Sequence, residues 1–229
     1  DSRPAIVFFF GGGWVSGSPS QFHPHCEYLA SRGMVAISAE YRVKSRHGAT
    51  PFDCVADARR ALRWVREHAE ELGVDPSRVA AGGGSAGGHL AAAIGTVPVP
   101  EDERELEAVS SRPDALVLFN PVFDNGPDGF GHERIGERYP QISPIHNLDR
   151  GGLPPTVVFL GTEDRLVPVA TAERYRDLME AHGNRCELHL YEGQQHGFFN
   201  HDAGKTPYYE RTVEVMDRFL AELMFLPDA

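Results

Sequence analysis

The fold of this chain is decided by the stretch Val79-Ala80-Ala81-Gly82-Gly83-Gly84-Ser85-Ala86-Gly87. Its first residues favour a strand, and a run of small, helix-prone residues follows it at His89–Ile94. A serine at a tight strand-to-helix turn is held in strained backbone geometry, and glycines two positions before and after it remove side chains that would clash. We therefore expect Ser85 to stand above a sheet with an accessible hydroxyl.

Short runs with strand propensity alternate along the chain with segments that favour helices. The predicted strands are Ala5–Phe10, Met34–Ala39, Arg78–Ala81, Ala115–Phe119, Thr156–Leu160 and Glu187–Tyr191. The predicted helices are Ser20–Ser31, Asp53–Leu72, Ala86–Thr96, Val169–His182 and Pro207–Met224. This alternation predicts a single α/β domain over residues 1–229, with a mostly parallel central sheet and helices on both faces.

Two local features interrupt the alternation of strands and helices. Gly73 predicts the end of the second helix, and Asp75-Pro76-Ser77 predicts a turn before the strand that leads to Ser85. The segment Asn120–Pro155 is rich in Gly, Pro, Asp and Asn and stands where a crossover helix would be expected. We interpret it as an excursion at the active site.

Acidic residues outnumber basic ones. The chain carries 33 Asp and Glu against 22 Lys and Arg, a formal net charge of −11. We therefore expect neither nucleic acid nor an anionic membrane as a partner. No apolar run approaches the roughly 18 residues of a membrane-spanning helix, so no membrane insertion is expected, and no targeting signal is visible. The chain opens almost directly on a strand, which leaves export and the cellular location open.

The cysteines indicate neither a disulfide nor a metal site. Cys26, Cys54 and Cys186 are odd in number and widely spaced, which favours neither a disulfide framework nor a zinc site. We expect buried or spare thiols. The His and Asp residues show no spacing typical of metal ligands, so we expect no metal and no cofactor. The oligomeric state cannot be read from the sequence.

Two loops supply candidate partners for Ser85. A serine hydroxyl needs an imidazole as base and a carboxylate to orient that imidazole. Asp164 follows the strand Thr156–Leu160 at its carboxyl end, where open α/β sheets place their sites, and is predicted as the acid, with Glu163 as its rival. His196 stands between glycines in the loop after the last strand and is predicted as the base.

Other histidines are less suited to catalysis. His89 lies one helical turn beyond Ser85, and its side chain is expected to point along the helix into packing. It is interpreted as structural. His23, His25 and His201 are predicted to be surface residues.

A glycine-rich loop follows the first strand. The run Phe8-Phe9-Phe10-Gly11-Gly12-Gly13-Trp14 exposes backbone amides directly after a strand. Acyl transfer places negative charge on a carbonyl oxygen, which the amides of Gly12 and Gly13, together with that of Ala86, can stabilise as an oxyanion hole. A phosphate cradle is the alternative, but neither the spaced glycines of a dinucleotide site nor the ending of a P-loop is present.

These four motifs, in the chain order Ser, Asp, His, resemble the α/β-hydrolase fold carboxylesterases over nearly the whole chain. The narrower resemblance is to the branch that includes hormone-sensitive-lipase-like and acetylxylan- or feruloyl-esterase-like enzymes. It is supported by Asp53, Ala61 and Trp64, by the turn Asp75-Pro76-Ser77-Arg78-Val79, and by Ser143-Pro144. The resemblance implies an α/β-hydrolase fold and hydrolysis of carboxylic esters.

The chain departs from that family in two respects. Members usually carry His before the three glycines, where this chain has Phe10, so we expect apolar packing of Phe10 to anchor the loop. The family's sheet normally begins with antiparallel strands, and almost nothing precedes Ala5 here. We therefore expect shortened N-terminal strands, a small or absent cap, and an open, small pocket.

The expected substrates are small esters of short acyl chains, because the chain shows no long amphipathic lid for attack on fat droplets. Trp14 and Phe198 are predicted to wall the substrate pocket. The alternatives are an acetylxylan- or feruloyl-type polysaccharide esterase, a formamidase or peptidase of the same fold, and a non-catalytic binding module.

Overall fold

The computed structural model describes residues 2–99, 109–202 and 207–227. Within them, six strands form one sheet: β1 (Arg3–Phe9), β2 (Val35–Ala39), β3 (Val74–Gly84), β4 (Leu116–Phe119), β5 (Thr156–Gly161) and β6 (Cys186–Tyr191). Their order across the sheet is β2-β1-β3-β4-β5-β6, and every neighbouring pair is parallel. The predicted α/β architecture is confirmed.

Helices cover both faces of this sheet. They are α1 (His23–Ser31), α2 (Lys44–His47), α3 (Pro51–Glu67), α4 (Ala69–Leu72), α5 (Ala86–Thr96), α6 (His132–Ile135), α7 (Val169–Ala181) and α8 (Tyr208–Glu222). Helices α3, α5 and α7 pack on one face, and α1 and α8 pack on the other. No helix among the described residues has the length and apolar character needed to cross a membrane.

Strand β1, which lies between β2 and β3, is buried on both faces. Its residues alternate, so that Val7 and Phe9 contact the layer of α3 and α5 while Ile6 and Phe8 contact the layer of α1 and α8. A parallel strand between two helical layers needs apolar residues at every position. This requirement explains the uninterrupted run that the sequence shows there.

Strand β3 begins four residues before its predicted start at Arg78. Its pairing with β1 shifts register, because Arg3 pairs with Val74 and Ala5 pairs with Val79. The extra residues include the predicted turn, in which the Ser77 N–H donates to the Asp75 carboxylate at 3.0 Å. The turn is therefore a bulge inside a longer strand.

The second predicted helix is divided in two. Helix α3 begins with a capping box, in which Thr50 Oγ1 accepts from the Asp53 N–H and the Asp53 carboxylate accepts from the Thr50 N–H. His68 interrupts the helix with φ −103° and ψ 21°, and α4 follows it. Gly73, at φ 64°, ends α4 as predicted.

The segment between β4 and β5 contains α6 and two 3-10 helices, Gly136–Gln141 and Pro144–Asn147. Two contacts hold it over the carboxyl end of the sheet. Arg134 donates to the Gly13 carbonyl at 2.8 Å, and His89 Nε2 donates to the Ile142 carbonyl at 2.9 Å. The excursion thus packs against both the glycine-rich loop and α5.

His25 occupies the core between α1 and the sheet. Its predicted place on the surface is wrong, because the side chain is fully buried, whereas His23 and His201 are exposed. His25 and Leu29 are four residues apart and share the face of α1 that is turned to the sheet. The prediction followed residue type and missed the position on the helix.

Candidate active site

Ser85 stands at the turn between β3 and α5. Its backbone has φ 54° and ψ −118°, a conformation that non-glycine residues rarely adopt. The turn is held by the Ser85 N–H, which donates to the Phe119 carbonyl at 2.9 Å. A Cβ at Gly87 would lie 2.0 Å from the Phe9 carbonyl oxygen, so only glycine permits this approach. The strained serine and the close glycine are the features expected of a nucleophile elbow.

Three side chains from three loops form a continuous hydrogen-bonded arrangement. His196 Nε2 lies 2.8 Å from Ser85 Oγ, and His196 Nδ1 lies 2.7 Å from Asp164 Oδ2. The carboxylate accepts the Nδ1 proton, which leaves the Nε2 lone pair facing the serine hydroxyl. The structure therefore brings together the three residues that the sequence singled out.

Asp164 is held as a carboxylate. Its Oδ1 accepts the N–H groups of Leu166 at 2.8 Å and Val167 at 3.0 Å, while its Oδ2 faces His196. Burial favours the neutral acid, but the hydrogen bonds from His196 and the two amides outweigh it and hold the pKa of Asp164 below its ordinary value. The rival Glu163 is exposed and lies outside this arrangement.

The glycine-rich loop lies directly beside the elbow. A Cβ at Gly11 would lie 3.3 Å from Ser85 Cβ. Gly12 has φ 126°, and its carbonyl accepts the N–H groups of Val15 and Ser16 in a tight turn. Among the described residues, the N–H groups of Gly12, Gly13 and Ala86 have no hydrogen-bond acceptor. They are therefore available to an anionic oxygen.

The loop is anchored without the family's histidine. The Phe10 ring stacks on the Tyr41 ring with centroids 4.2 Å apart, which is the apolar packing expected from the sequence. The Tyr41 hydroxyl also donates to the Phe10 carbonyl at 2.7 Å, and the Gly11 N–H donates to Gln21 Oε1 at 2.7 Å. One aromatic contact and two hydrogen bonds thus fix the start of the loop.

A cavity of about 650 Å³ opens beside Ser85 and His196. Its apolar lining comes from Phe130, Leu166 and Phe199. Its polar lining includes Ser18, Ser20, Gln21, Asn120, Asn200 and His201. A small ester can therefore place its carbonyl at Ser85 in a cavity lined by both aromatic rings and polar side chains.

The two aromatic residues predicted to wall the pocket lie outside the described lining of this cavity. Trp14 has φ 60°, and its buried indole Nε1 donates to His89 Nδ1 at 3.3 Å. Phe198 packs against Tyr191, with ring centroids 4.9 Å apart. The backbone turns these side chains into packing, and Phe130 and Phe199 border the cavity in their place.

His89 takes part in packing, as its helical position indicated. Its Nδ1 accepts from Trp14, and its Nε2 donates to the excursion that follows β4. Burial lowers the pKa of His89 to about 4. The neutral ring therefore links the glycine-rich loop to the excursion.

Sequence reasoning missed Asn120. It follows β4 with φ 34°, and its side-chain Oδ1 accepts the Gly197 N–H at 2.9 Å, next to His196. The available signal was its place at the carboxyl end of a parallel strand, where such folds gather polar site residues. Among the described residues, no group of three or more His, Cys, Asp or Glu side chains is arranged to hold a metal ion.

Comparison with known proteins places this geometry in a family. The chain matches the family model BD-FAE over residues 1–117 and the alpha/beta hydrolase fold model over residues 132–200. Carboxylesterase NlhH of Mycobacterium tuberculosis is 29% identical over 225 residues, which cover 87% of this chain and 68% of that relative.

Solved structures agree with the family models. The propionate-bound esterase Est2 of Thermogutta terrifontis is 50% identical, with a TM-score of 0.91 over 100% of this chain and 86% of that chain. Esterase 2 of the same organism, phosphoramylated by tabun, is 51% identical, with a TM-score of 0.92 over 100% and 86% of the two chains. The sheet and the serine elbow define an α/β hydrolase. The chain belongs to the carboxylesterases of this fold, in the hormone-sensitive-lipase-like family.

Proposed function

We propose that this protein is a serine carboxylesterase that hydrolyses short-chain carboxylic esters through an acyl-enzyme intermediate. Ser85 is the nucleophile, His196 the general base and Asp164 the residue that orients the imidazole. The observation that carries this proposal is the pair of hydrogen bonds at His196, 2.8 Å to Ser85 Oγ and 2.7 Å to Asp164 Oδ2, at the edge of an open cavity.

Acylation begins when Ser85 Oγ attacks the ester carbonyl carbon and His196 Nε2 takes the hydroxyl proton. The carbonyl oxygen becomes an anion, which the N–H groups of Gly12, Gly13 and Ala86 stabilise. The bond to the alcohol oxygen then breaks, and the imidazolium returns its proton to that oxygen. The alcohol leaves, and the acyl group remains on Ser85.

Deacylation repeats these steps with water as the nucleophile. His196 takes a proton from water as the water oxygen attacks the acyl carbon, and it then protonates Ser85 Oγ as the acid leaves. Asp164 stays ionised throughout, because its amide and imidazole hydrogen bonds favour the carboxylate. Its negative charge stabilises the imidazolium in both half-reactions.

The lining of the cavity favours substrates with a short acyl group. Phe130, Leu166 and Phe199 contribute apolar surface to the cavity, and the polar side chains that share its lining disfavour a long alkyl chain. The Thermogutta terrifontis esterase holds propionate in one structure and butyrate in another, which supports short acyl groups here. The polysaccharide-esterase alternative is not favoured over a carboxylesterase by these relatives.

The test compares p-nitrophenyl esters from acetate to dodecanoate on the native protein and on Ser85→Ala. We expect rates to peak between acetate and hexanoate and to fall by about 10⁶-fold in Ser85→Ala, because that variant lacks the nucleophile. Ser31→Ala is the matched control, since Ser31 is exposed and its hydroxyl donates to the Tyr28 carbonyl, away from Ser85.

A fluorophosphonate probe separates the remaining alternatives. It forms a covalent bond with an activated serine, so we expect labelling of the native protein and of Ser31→Ala but not of Ser85→Ala. Equal ester hydrolysis by the native protein and Ser85→Ala would refute the mechanism. An unlabelled, inactive native protein would support a non-catalytic binding module.

A further inference from the structure

Three side-chain amides border the cavity: Gln21, Asn200 and Asn120. Gln21 precedes α1, Asn120 follows β4 and Asn200 lies in the loop after β6, so the three come from distant parts of the chain. None of them is part of the Ser-His-Asp arrangement. We refer to these three side chains as the amide belt.

The belt starts at the glycine-rich loop. The Gly11 N–H donates to Gln21 Oε1 at 2.7 Å, and Gln21 Nε2 donates to Asn200 Oδ1 at 2.9 Å. Asn200 Nδ2 then donates to the Gly197 carbonyl at 2.8 Å. The first two amides therefore connect the loop that carries the candidate oxyanion donors to the residue that follows His196.

The belt ends on the imidazole. The Gly197 N–H donates to Asn120 Oδ1 at 2.9 Å, and Asn120 Nδ2 lies 3.4 Å from His196 Nε2. This nitrogen is the one that faces Ser85 Oγ. The hydrogen bonds thus run from Gly11 to Asn120, whose side-chain amide lies beside the imidazole of His196.

The orientation of every amide in this series is fixed by the backbone. A backbone N–H can only donate, so Gly11 and Gly197 require the oxygens of Gln21 and Asn120. The Gly197 carbonyl can only accept, so it requires the nitrogen of Asn200. All the hydrogen bonds then point in the same direction along the series. The bonds from Gly11 through Gln21 and Asn200 to the Gly197 carbonyl pass through conjugated side-chain amides, so each of them polarises and strengthens the next.

The glycine-rich loop needs such support from its neighbours. Gly11, Gly12 and Gly13 have no side chains with which to pack, and an oxyanion hole works only when its donors are held in place before the charge forms. Of the three N–H groups, that of Gly11 is the one with a protein acceptor among the described residues, and this acceptor is Gln21.

We propose that the amide belt positions the glycine-rich loop relative to His196, with Gln21 and Asn200 as positioning residues for ester hydrolysis. This inference rests on the proposed function. Gln21 anchors the glycine-rich loop, as the histidine before the glycines is expected to do in other family members. Asn200 connects Gln21 to the loop that carries His196. Oxyanion donors and general base are then held at a fixed separation.

A double-mutant cycle tests the proposal with Gln21→Leu, Asn200→Leu and the double variant on p-nitrophenyl butyrate. Because the belt acts as a unit, we expect each single variant to lose about tenfold in kcat and the double variant to lose no more than the worse single variant. KM should stay within about twofold, since the donors act on the transition state rather than on the bound ester.

Asn184→Leu is the matched control. Asn184 is a buried amide whose Oδ1 accepts the Leu153 N–H and whose Nδ2 donates to the Arg150 carbonyl, at the opposite end of the strands. Its loss should lower the unfolding midpoint while kcat stays unchanged. A belt variant that lowers the midpoint without lowering kcat overturns the proposal.

Two further results would also overturn it. Independent losses, about 100-fold in the double variant, would show that Gln21 and Asn200 do not act together. An equal fall in kcat for Asn184→Leu would show that general loosening explains the effect. Failure of the proposed function is separate and visible beforehand, because the native protein would then hydrolyse the ester no faster than Ser85→Ala.

Discussion

Acid should destabilise this protein in part through His25, and replacing that residue should remove its contribution. The His25 ring lies among the rings of Phe22, Phe119 and Tyr209, with centroids 5.0, 5.1 and 4.9 Å away. Neither ring nitrogen has a hydrogen-bond partner among the described residues. A proton on this ring would create a buried cation without an acceptor for either N–H group.

The magnitude follows from the change in pKa on folding. Burial, with a smaller contribution from the positive charge of His201, lowers the pKa of His25 from 6.5 to about 3. Between these values the unfolded chain binds the proton and the folded protein does not, so stability is full above pH 6.5 and falls as the pH drops. From pH 7 to pH 5 the loss from His25 is about 2 kcal/mol.

The assay is urea unfolding at pH 7 and pH 5 for the native protein and His25→Leu. Leucine is close to histidine in volume and cannot be protonated, so the variant should lose about 2 kcal/mol less than the native protein over this interval. Comparing each protein with itself removes any packing cost of the substitution. The exposed His23, two residues away, provides the control His23→Leu, which should keep the native pH dependence. An unchanged dependence in His25→Leu would refute the reasoning.

Two further changes test the elbow and the acid of the candidate site. Asp164→Asn should lower kcat by about 10⁴-fold, because an amide cannot hold His196 in the required tautomer, and steady-state kinetics on p-nitrophenyl butyrate would measure it. Gly87→Ala should prevent folding or lower the unfolding midpoint strongly, because its Cβ would lie 2.0 Å from the Phe9 carbonyl oxygen. In Gly151→Ala the nearest heavy atom is 3.4 Å away, and the midpoint should hardly change.

The sequence predicted those parts of the site that follow strands. Ser85, Asp164 and His196 come from loops at the carboxyl ends of β3, β5 and β6, and a parallel sheet brings these ends to one edge. Their positions were predictable because each combines a reactive residue type with a loop at that edge. The hydrogen bonds at 2.8 and 2.7 Å follow from topology more than from any local preference of the side chains.

Side-chain direction was not predictable in the same way. Trp14 and Phe198 lie in the expected loops, but the positive φ of Trp14 and the packing of Phe198 on Tyr191 turn both rings away from the cavity. His25 was misjudged for a related reason, because a polar residue type does not show which face of α1 it occupies. These outcomes depend on contacts between segments that are distant in sequence.

The glycine-rich loop lacks the histidine that family members usually carry before it, and a residue outside the loop supplies a hydrogen bond to it. Phe10 removes a polar anchor from its own position, and its ring can supply only apolar packing against Tyr41. The part-buried Gly11 N–H still needs an acceptor, because a donor withdrawn from water without a partner destabilises the folded state. Gln21 meets that need, although nothing in the sequence near the glycines indicates it. Gln21 thereby ties the glycine-rich loop to the amide belt, which also contacts the loop that carries His196.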